Sequence, residues 1–182
     1  MLNLFKKNTI ESHFKKISII GRLAFATKCL KQYIEEQGLQ NKWLDWVIKV
    51  LWDFTTSEDL AEWDSRISDL DPNNVVEEHP NNNASDYKPL TESEFNELKK
   101  YYSTISDDLF LLIDFTIDIG TSNLYGGTRS YSKNTLESTM KVYKFAQDKI
   151  TLIRSFVLSL IVEFNLLFKL KKNCGKKQVK TT

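Results

Sequence analysis

The chain has 182 residues, of which 41% are hydrophobic and 27% are charged, and its formal net charge is +1. This length suits one domain with a full hydrophobic core, and the small numbers of glycines (six) and prolines (three) favour helices over a strand-and-turn sandwich. Two cysteines, Cys29 and Cys174, are too few for a disulfide framework. Because the N-terminus also lacks an apolar leader segment, we expect a cytoplasmic protein without membrane association.

The first two predicted helices carry the most regular apolar pattern. From Ile10 to about Gln37, apolar residues recur at intervals of three, four or seven, which predicts one helix that ends at Gly38. A second helix is predicted from about Asn41 to Phe54. Apolar residues surround most of its circumference, which indicates a central position in the fold.

The third predicted helix follows a polar cap and precedes a long loop. Thr56 or Ser57 is expected to cap this helix, which runs to about Leu70. Its predicted buried stripe consists of Leu60, Trp63 and Ile67. The stretch over residues 71–90 is dense in proline, asparagine and aspartate, and it is therefore predicted to be a loop.

A fourth and a fifth helix have clear starting signals. Thr91 and Glu94 have the spacing of a capping box, which predicts a helix that extends to about Tyr102. The next helix is expected to begin after a cap at Ser106 and to stop at Gly120.

A loop with two adjacent glycines leads to Asn134, the predicted cap of a long last helix that continues to about Leu167. The sequence thus predicts an all-α, single-domain bundle of about six helices over residues 1–168. Residues 169–182 form a basic tail that we expect to be flexible.

Four tryptophans lie within 21 residues of this sequence, from position 43 to position 63. Trp43, Trp46 and Trp63 share helical stripes with other apolar residues and are predicted to pack in the core. Trp52 lies off the main stripe and is the tryptophan most expected to reach the surface. An indole there suits a binding anchor, since it buries a large area and keeps one N–H donor.

Catalytic and metal-binding patterns are scarce. His13 and His79 are the only histidines, and both are expected at the surface. Asp107, Asp114 and Asp118 are the one set of carboxylates with metal-like spacing, but the Glu-x-x-His pairs of a di-iron bundle do not accompany them. A solvated helix face is the favoured interpretation, and we expect a protein that is not an enzyme and needs neither cofactor nor metal.

The charges are strongly segregated along the chain. Residues 1–52 have a net charge of +5, residues 53–118 a net charge of −13, and residues 119–182 a net charge of +9. Most carboxylates of the middle section must be exposed or paired, because burial of an unpaired charge is costly. An acidic surface is predicted from Glu58, Asp59, Glu62, Asp69, Asp71, Glu77 and Glu78. Such a surface repels nucleic acid and attracts basic proteins.

Three stretches, RLAFATKCLKQYIEEQGL, WVIKVLWDFTTSEDLAEWDSRI and IDIGTSNLYGG, resemble a family of small helical immunity proteins. These proteins are found beside polymorphic or contact-dependent growth inhibition toxins in bacteria. The resemblance spans about residues 20–130 and implies a non-enzymatic protein that binds and blocks a cognate toxin. The chain beyond that range, with its long apolar stretch and its lysines, has no counterpart in the resemblance.

Two functions follow from these observations as hypotheses. The first is neutralisation of a cognate toxin, with the acidic surface over a basic site of the toxin and Trp52 as an apolar anchor. The alternative is a helical protein that binds nucleic acid or a membrane surface through KLKKNCGKKQVKTT, which has six lysines and no acidic residue.

Overall fold

A computed structural model describes residues 10–77, 90–122, 124 and 132–151, and these ranges contain helices and no strand. The all-α prediction is confirmed, and the described ranges contain eight helices where the sequence predicted about six for the domain. The helices are α1 (residues 10–14), α2 (Ile19–Gln37), α3 (Lys42–Asp53), α4 (Leu60–Ser68), α5 (Pro72–Val76), α6 (Glu92–Tyr102), α7 (Asp107–Thr121) and α8 (Lys133–Lys149). In this part of the chain, no helix has both the length and the apolar character to cross a membrane.

The centre of the fold is formed by α2, α7 and α8, each of which packs against the other two. Leu23 and Leu30 of α2, Leu112 of α7 and Val142 of α8 are completely buried. Around this centre, α3 packs on α2, α4 packs on α3, and α5 lies against α6 and α7. Amphipathic helices of this kind gain most of their stability by burying one apolar face against their neighbours.

The prediction of one helix from Ile10 to Gln37 is wrong, because the chain turns at residues 15–18. Ser18 adopts an extended conformation, and its hydroxyl accepts a hydrogen bond from the backbone N–H of Gly21 at 3.2 Å. The apolar spacing hides this break because Phe14 and Leu23, on either side of it, both face the core. A serine cap therefore begins α2, which ends as predicted at Gly38 in the left-handed conformation.

The start of α4 also differs from the prediction, since its cap is Asp59 and not Thr56 or Ser57. The Asp59 carboxylate accepts hydrogen bonds from the backbone N–H groups of Ala61 and Glu62 at 2.9 and 3.0 Å. Trp63 and Ile67 are buried as predicted, but Leu60 in the first turn is exposed. The expected three-residue buried stripe thus has two members.

Part of the predicted loop at residues 71–90 is helical. Asp71 caps α5 by accepting from the backbone N–H of Asn73 at 2.8 Å, and Pro72 occupies the first turn, where its missing N–H has no consequence. Val75 is completely buried, which anchors this short helix to the body. Residues 78–89 lie outside the described ranges.

The starts of α3, α6 and α7 agree with the sequence. Asn41 caps α3 through its side chain, and Thr91 and Glu94 form both hydrogen bonds of the predicted capping box. The hydroxyl of Ser106 accepts from the backbone N–H of Leu109 at 3.3 Å at the start of α7. These three signals involve only groups within one helical turn of each other.

The last described helix begins two residues earlier and ends sooner than predicted. Its cap is Ser132, two residues before Asn134, and the helix ends at Lys149 instead of continuing to Leu167. Ile150 is extended and buried, and the backbone N–H of Thr151 donates to Glu36 Oε2 at 3.0 Å. The predicted helical residues 152–167 and the predicted flexible tail, residues 169–182, are outside the described ranges.

Trp63 joins three helices from inside the core. Its ring is 1% exposed, and its indole N–H donates to the Val50 carbonyl of α3 at 2.7 Å. Phe54 meets the ring edge-on, with 4.7 Å between ring centroids. On the α7 side, a Cβ at Gly120 would lie 2.4 Å from Cη2 of Trp63. This close approach explains why position 120 is a glycine. Gly120 does not end α7 as predicted, because the helix continues to Thr121.

Arg22 is a buried cation that the sequence analysis did not single out. Its side chain is 1% exposed, and its Nε donates to the Phe14 carbonyl at 3.0 Å. Nη1 donates to the Ser132 carbonyl at 3.0 Å and to Thr135 Oγ1 at 2.7 Å. One guanidinium therefore links the end of α1 and the start of α8 to α2.

The contact at Gly120 leads to the first testable prediction. Gly120→Ala should lower the free energy of unfolding, measured by urea denaturation, by about 1–3 kcal/mol, since the added methyl group overpacks the Trp63 ring. Helix propensity alone predicts the opposite sign, a gain of about 1 kcal/mol. In a Trp63→Phe background the ring is smaller, so the same substitution should cost less or stabilise the protein. A stabilising Gly120→Ala in the wild-type chain would contradict the close contact.

A second prediction concerns the shape of the cation at position 22. Arg22→Lys keeps the charge, but one ammonium cannot reach the acceptors on Phe14, Ser132 and Thr135 together, so we expect the free energy of unfolding in urea to fall by more than about 2 kcal/mol. Arg22→Met removes the charge together with the hydrogen bonds and should be less destabilising than Arg22→Lys. Lys31→Met, at an exposed position of the same helix, is the control and should change stability by no more than about 0.5 kcal/mol. Equal losses of unfolding free energy for Arg22→Lys and Arg22→Met would argue against this interpretation.

Candidate functional site

The structure divides the predicted site residues into an exposed group and a half-buried group. Glu58, Asp59 and Glu62 are exposed at the start of α4, and Glu77 is exposed just after α5. The half-buried group consists of Trp52, Asp69 and Asp71. Glu78 lies outside the described residues. We refer to Glu58, Asp59, Leu60 and Glu62 together as the α4 entry face.

Hydrogen bonds of the preceding turn hold the α4 entry face in place. The backbone N–H of Thr55 donates to the Trp52 carbonyl at 3.0 Å, and those of Thr56 and Ser57 donate to the Asp53 carbonyl at 3.1 and 2.9 Å. The Ser57 hydroxyl then donates to the Asp59 carbonyl at 2.7 Å. Together with the Asp59 cap, these bonds give the chain between α3 and α4 a defined path, so the exposed side chains project from an ordered backbone.

Cations from other helices neutralise several carboxylates of the negative middle section. Arg66 contacts Asp53 at 2.6 Å, Lys42 contacts Glu97 at 2.6 Å, and Lys149 contacts Asp108 at 2.7 Å. Lys42 and Lys149 belong to the basic sections at either end of the sequence. Helix packing therefore brings cations of these sections next to carboxylates of the negative middle section. The Lys42–Glu97 and Lys149–Asp108 pairs are exposed, and exposed ion pairs contribute little stability individually.

Glu58 and Glu62 differ from those carboxylates. Neither side chain has an ion pair or a hydrogen bond with any residue in the described ranges. Glu62 lies in the first turn of α4, where the positive end of the helix dipole favours a negative charge. Asp59, by contrast, uses its carboxylate as the helix cap. The α4 entry face thus contains two carboxylates that are available to a partner.

Leu60 adds an apolar group between these charges. Its side chain is 40% exposed, in the same range as Ile20, Val76 and Leu111, the other large apolar residues exposed in the described part of the chain. It is the one among these four that has unpaired carboxylates on both sides in sequence. A partner that covered Leu60 would remove apolar area from water and bring its own charges next to Glu58 and Glu62.

The tryptophans are distributed between the core and its margin. Trp43 and Trp63 are buried, whereas Trp46 and Trp52 are half-buried. Trp46 stacks on Trp43 with 6.0 Å between ring centroids and packs against the core. Trp52 lies in the last turn of α3, close in sequence to the α4 entry face, and its role as a binding anchor stays a prediction.

Asp69 and Asp71 are placed in the turn between α4 and α5. Burial raises the pKa of both carboxyl groups. For Asp71, the nearby Asp114 carboxylate raises the pKa further, while hydrogen bonds from Asn73 act in the opposite direction. The Asn73 side-chain amide also donates to Asp114 Oδ1 at 2.6 Å and so joins α5 to α7. These two aspartates contribute to local structure more than to an open acidic surface.

The carboxylates with metal-like spacing do not converge on one point. Asp107 is exposed in the first turn of α7, Asp114 is bonded to Asn73, and Asp118 accepts from the Ser138 hydroxyl at 3.4 Å. Within the described ranges, no group of three histidine, cysteine, aspartate or glutamate side chains is arranged to hold a metal ion.

Cys29 and His13 are the cysteine and the histidine within the described ranges, and neither side chain is fully exposed. Cys29 is buried, and burial raises the pKa of its thiol, which disfavours the reactive thiolate. His13, which the sequence predicts at the surface, is half-buried. His79 lies outside the described residues.

No family model, curated protein or solved structure matches this chain.

Sequence reasoning missed the true start of α4 although a signal was present. Asp59 and Glu62 have the spacing of a cap residue and the third helical residue, which is typical of a helix start. Had this signal been preferred over Thr56 and Ser57, Leu60 would have been placed in the first turn. First-turn positions are often exposed, because the helix has not yet entered the core.

The raised pKa of Asp71 gives a prediction about pH. Because the folded-state pKa of Asp71 lies above its unfolded value, stability should fall as pH rises from the ordinary pKa of an aspartate carboxyl group through the folded pKa, and the loss should be complete above it. Asp71→Asn keeps an acceptor for the Asn73 N–H and removes the charge, so it should reduce this loss and raise stability at pH 7. Urea unfolding at pH 4 and pH 7 measures both effects.

Asp45→Asn, which removes the charge of an exposed carboxylate of α3, is the control for the stability at pH 7. An Asp71→Asn variant whose stability depends on pH in the same way as that of the wild-type chain would show that the Asp71 charge is not destabilising.

Proposed function

We propose that this protein is a non-enzymatic immunity protein that binds a cognate bacterial toxin through the α4 entry face and thereby blocks the toxin. The observation that carries the proposal is the lack of an intramolecular partner for Glu58 and Glu62 within the described ranges, while Asp53, Glu97 and Asp108 are paired. The sequence resemblance over about residues 20–130 supplies the class of partner.

The partner that fits this face has a basic surface. Two carboxylates that are not neutralised by the protein attract cations over several ångströms and increase the rate of productive encounters. Leu60 supplies apolar area in the same contact, and such area slows dissociation when it is fully covered. In this arrangement the charges set the speed and orientation of binding, and the leucine contributes to the lifetime of the complex.

The rigidity of α4 also favours binding. Trp63 fixes the inner side of the helix through its hydrogen bond to Val50 and its contact with Gly120. The Asp59 cap fixes the first turn from the outer side. Because the backbone is already ordered, a partner loses less free energy to the ordering of this surface than it would with a flexible loop.

Charge reversal tests the proposal. Glu58→Lys combined with Glu62→Lys should slow association with the cognate toxin by at least about tenfold at low salt, and it should flatten the salt dependence of the association rate. Stopped-flow mixing measures the rate, and survival of cells that express the toxin measures protection. Both substitutions are at exposed positions, so each should change stability by no more than about 0.5 kcal/mol.

The matched control is Asp45→Lys combined with Glu92→Lys. These carboxylates are also exposed, and they lie in the first turns of α3 and α6. The control variant changes the net charge by the same amount. It should retain most of the association rate. Equal slowing by both variants would indicate a general charge effect and would contradict a specific site at the α4 entry face.

A second outcome separates the two hypotheses. If the wild-type chain binds DNA or anionic vesicles and loses this binding when residues 169–182 are deleted, the lysine-rich tail, and not the α4 entry face, is the functional element. Under the toxin-binding proposal, the same deletion leaves toxin association and protection intact.

The apolar part of the contact has its own test. Leu60→Ala should increase the dissociation rate of the toxin complex by about fivefold or more, since truncation of a covered leucine removes buried area at the centre of the contact. Leu111→Ala is the matched control, because Leu111 is 43% exposed on α7 compared with 40% for Leu60 on α4. An unchanged dissociation rate for Leu60→Ala would place the apolar anchor elsewhere, and Trp52→Ala is then the next variant to measure.

A further inference from the structure

We draw no further inference here: the strongest candidate, the group of carboxylates formed by Asp71, Asp114 and Asp118 where α5 meets α7, is an acidic cluster whose hydrogen bonds run to the chain's own Asn73 and Ser138, and nothing within the described ranges shows a ligand or partner that it would hold.

Discussion

Burial of the Arg22 guanidinium is the interaction on which the arrangement of the helices depends. A cation that is 1% exposed is tolerated only where hydrogen-bond acceptors surround it, because its desolvation costs several kcal/mol. The acceptors come from Phe14 at the end of α1 and from Ser132 and Thr135 at the start of α8. Both segments must therefore stop or start next to α2. The turn after Phe14 and the Ser132 cap satisfy this requirement. The central helix α7 packs against both α2 and α8.

Trp63 connects the core to the helix whose exposed start is proposed to bind a partner. Its ring occupies the space that the missing side chain of Gly120 leaves on α7, and its N–H is bonded to α3. The inner side of α4 is thus fixed against two helices, and Glu58, Leu60 and Glu62 are exposed at the start of this helix. The same position of α4 therefore buries Trp63 in the core and exposes these three side chains.

Helix packing also decides which negative charges remain available. The sequence shows seventeen acidic residues between positions 53 and 118, but it does not show which of them meet a cation. Lys42 and Lys149, which flank this section in sequence, reach Glu97 and Asp108. The predicted exposure of Glu58, Asp59 and Glu62 agrees with the structure, whereas Asp69 and Asp71 are half-buried because α5 folds back on α7. Spacing along the chain carries no information about these contacts.

The sequence by itself determined the all-α class and the helix starts at Asn41, Thr91 and Ser106, because each start depends on hydrogen bonds within one turn of the chain. Only the tertiary structure decided the burial of Arg22, whose acceptors include groups 110 and 113 residues away. The same holds for the end of α8, where Ile150 leaves the helix to enter the core and Glu36 binds the next backbone N–H. Local hydrogen bonds can be read from neighbouring residues, but burial depends on which distant surfaces come together.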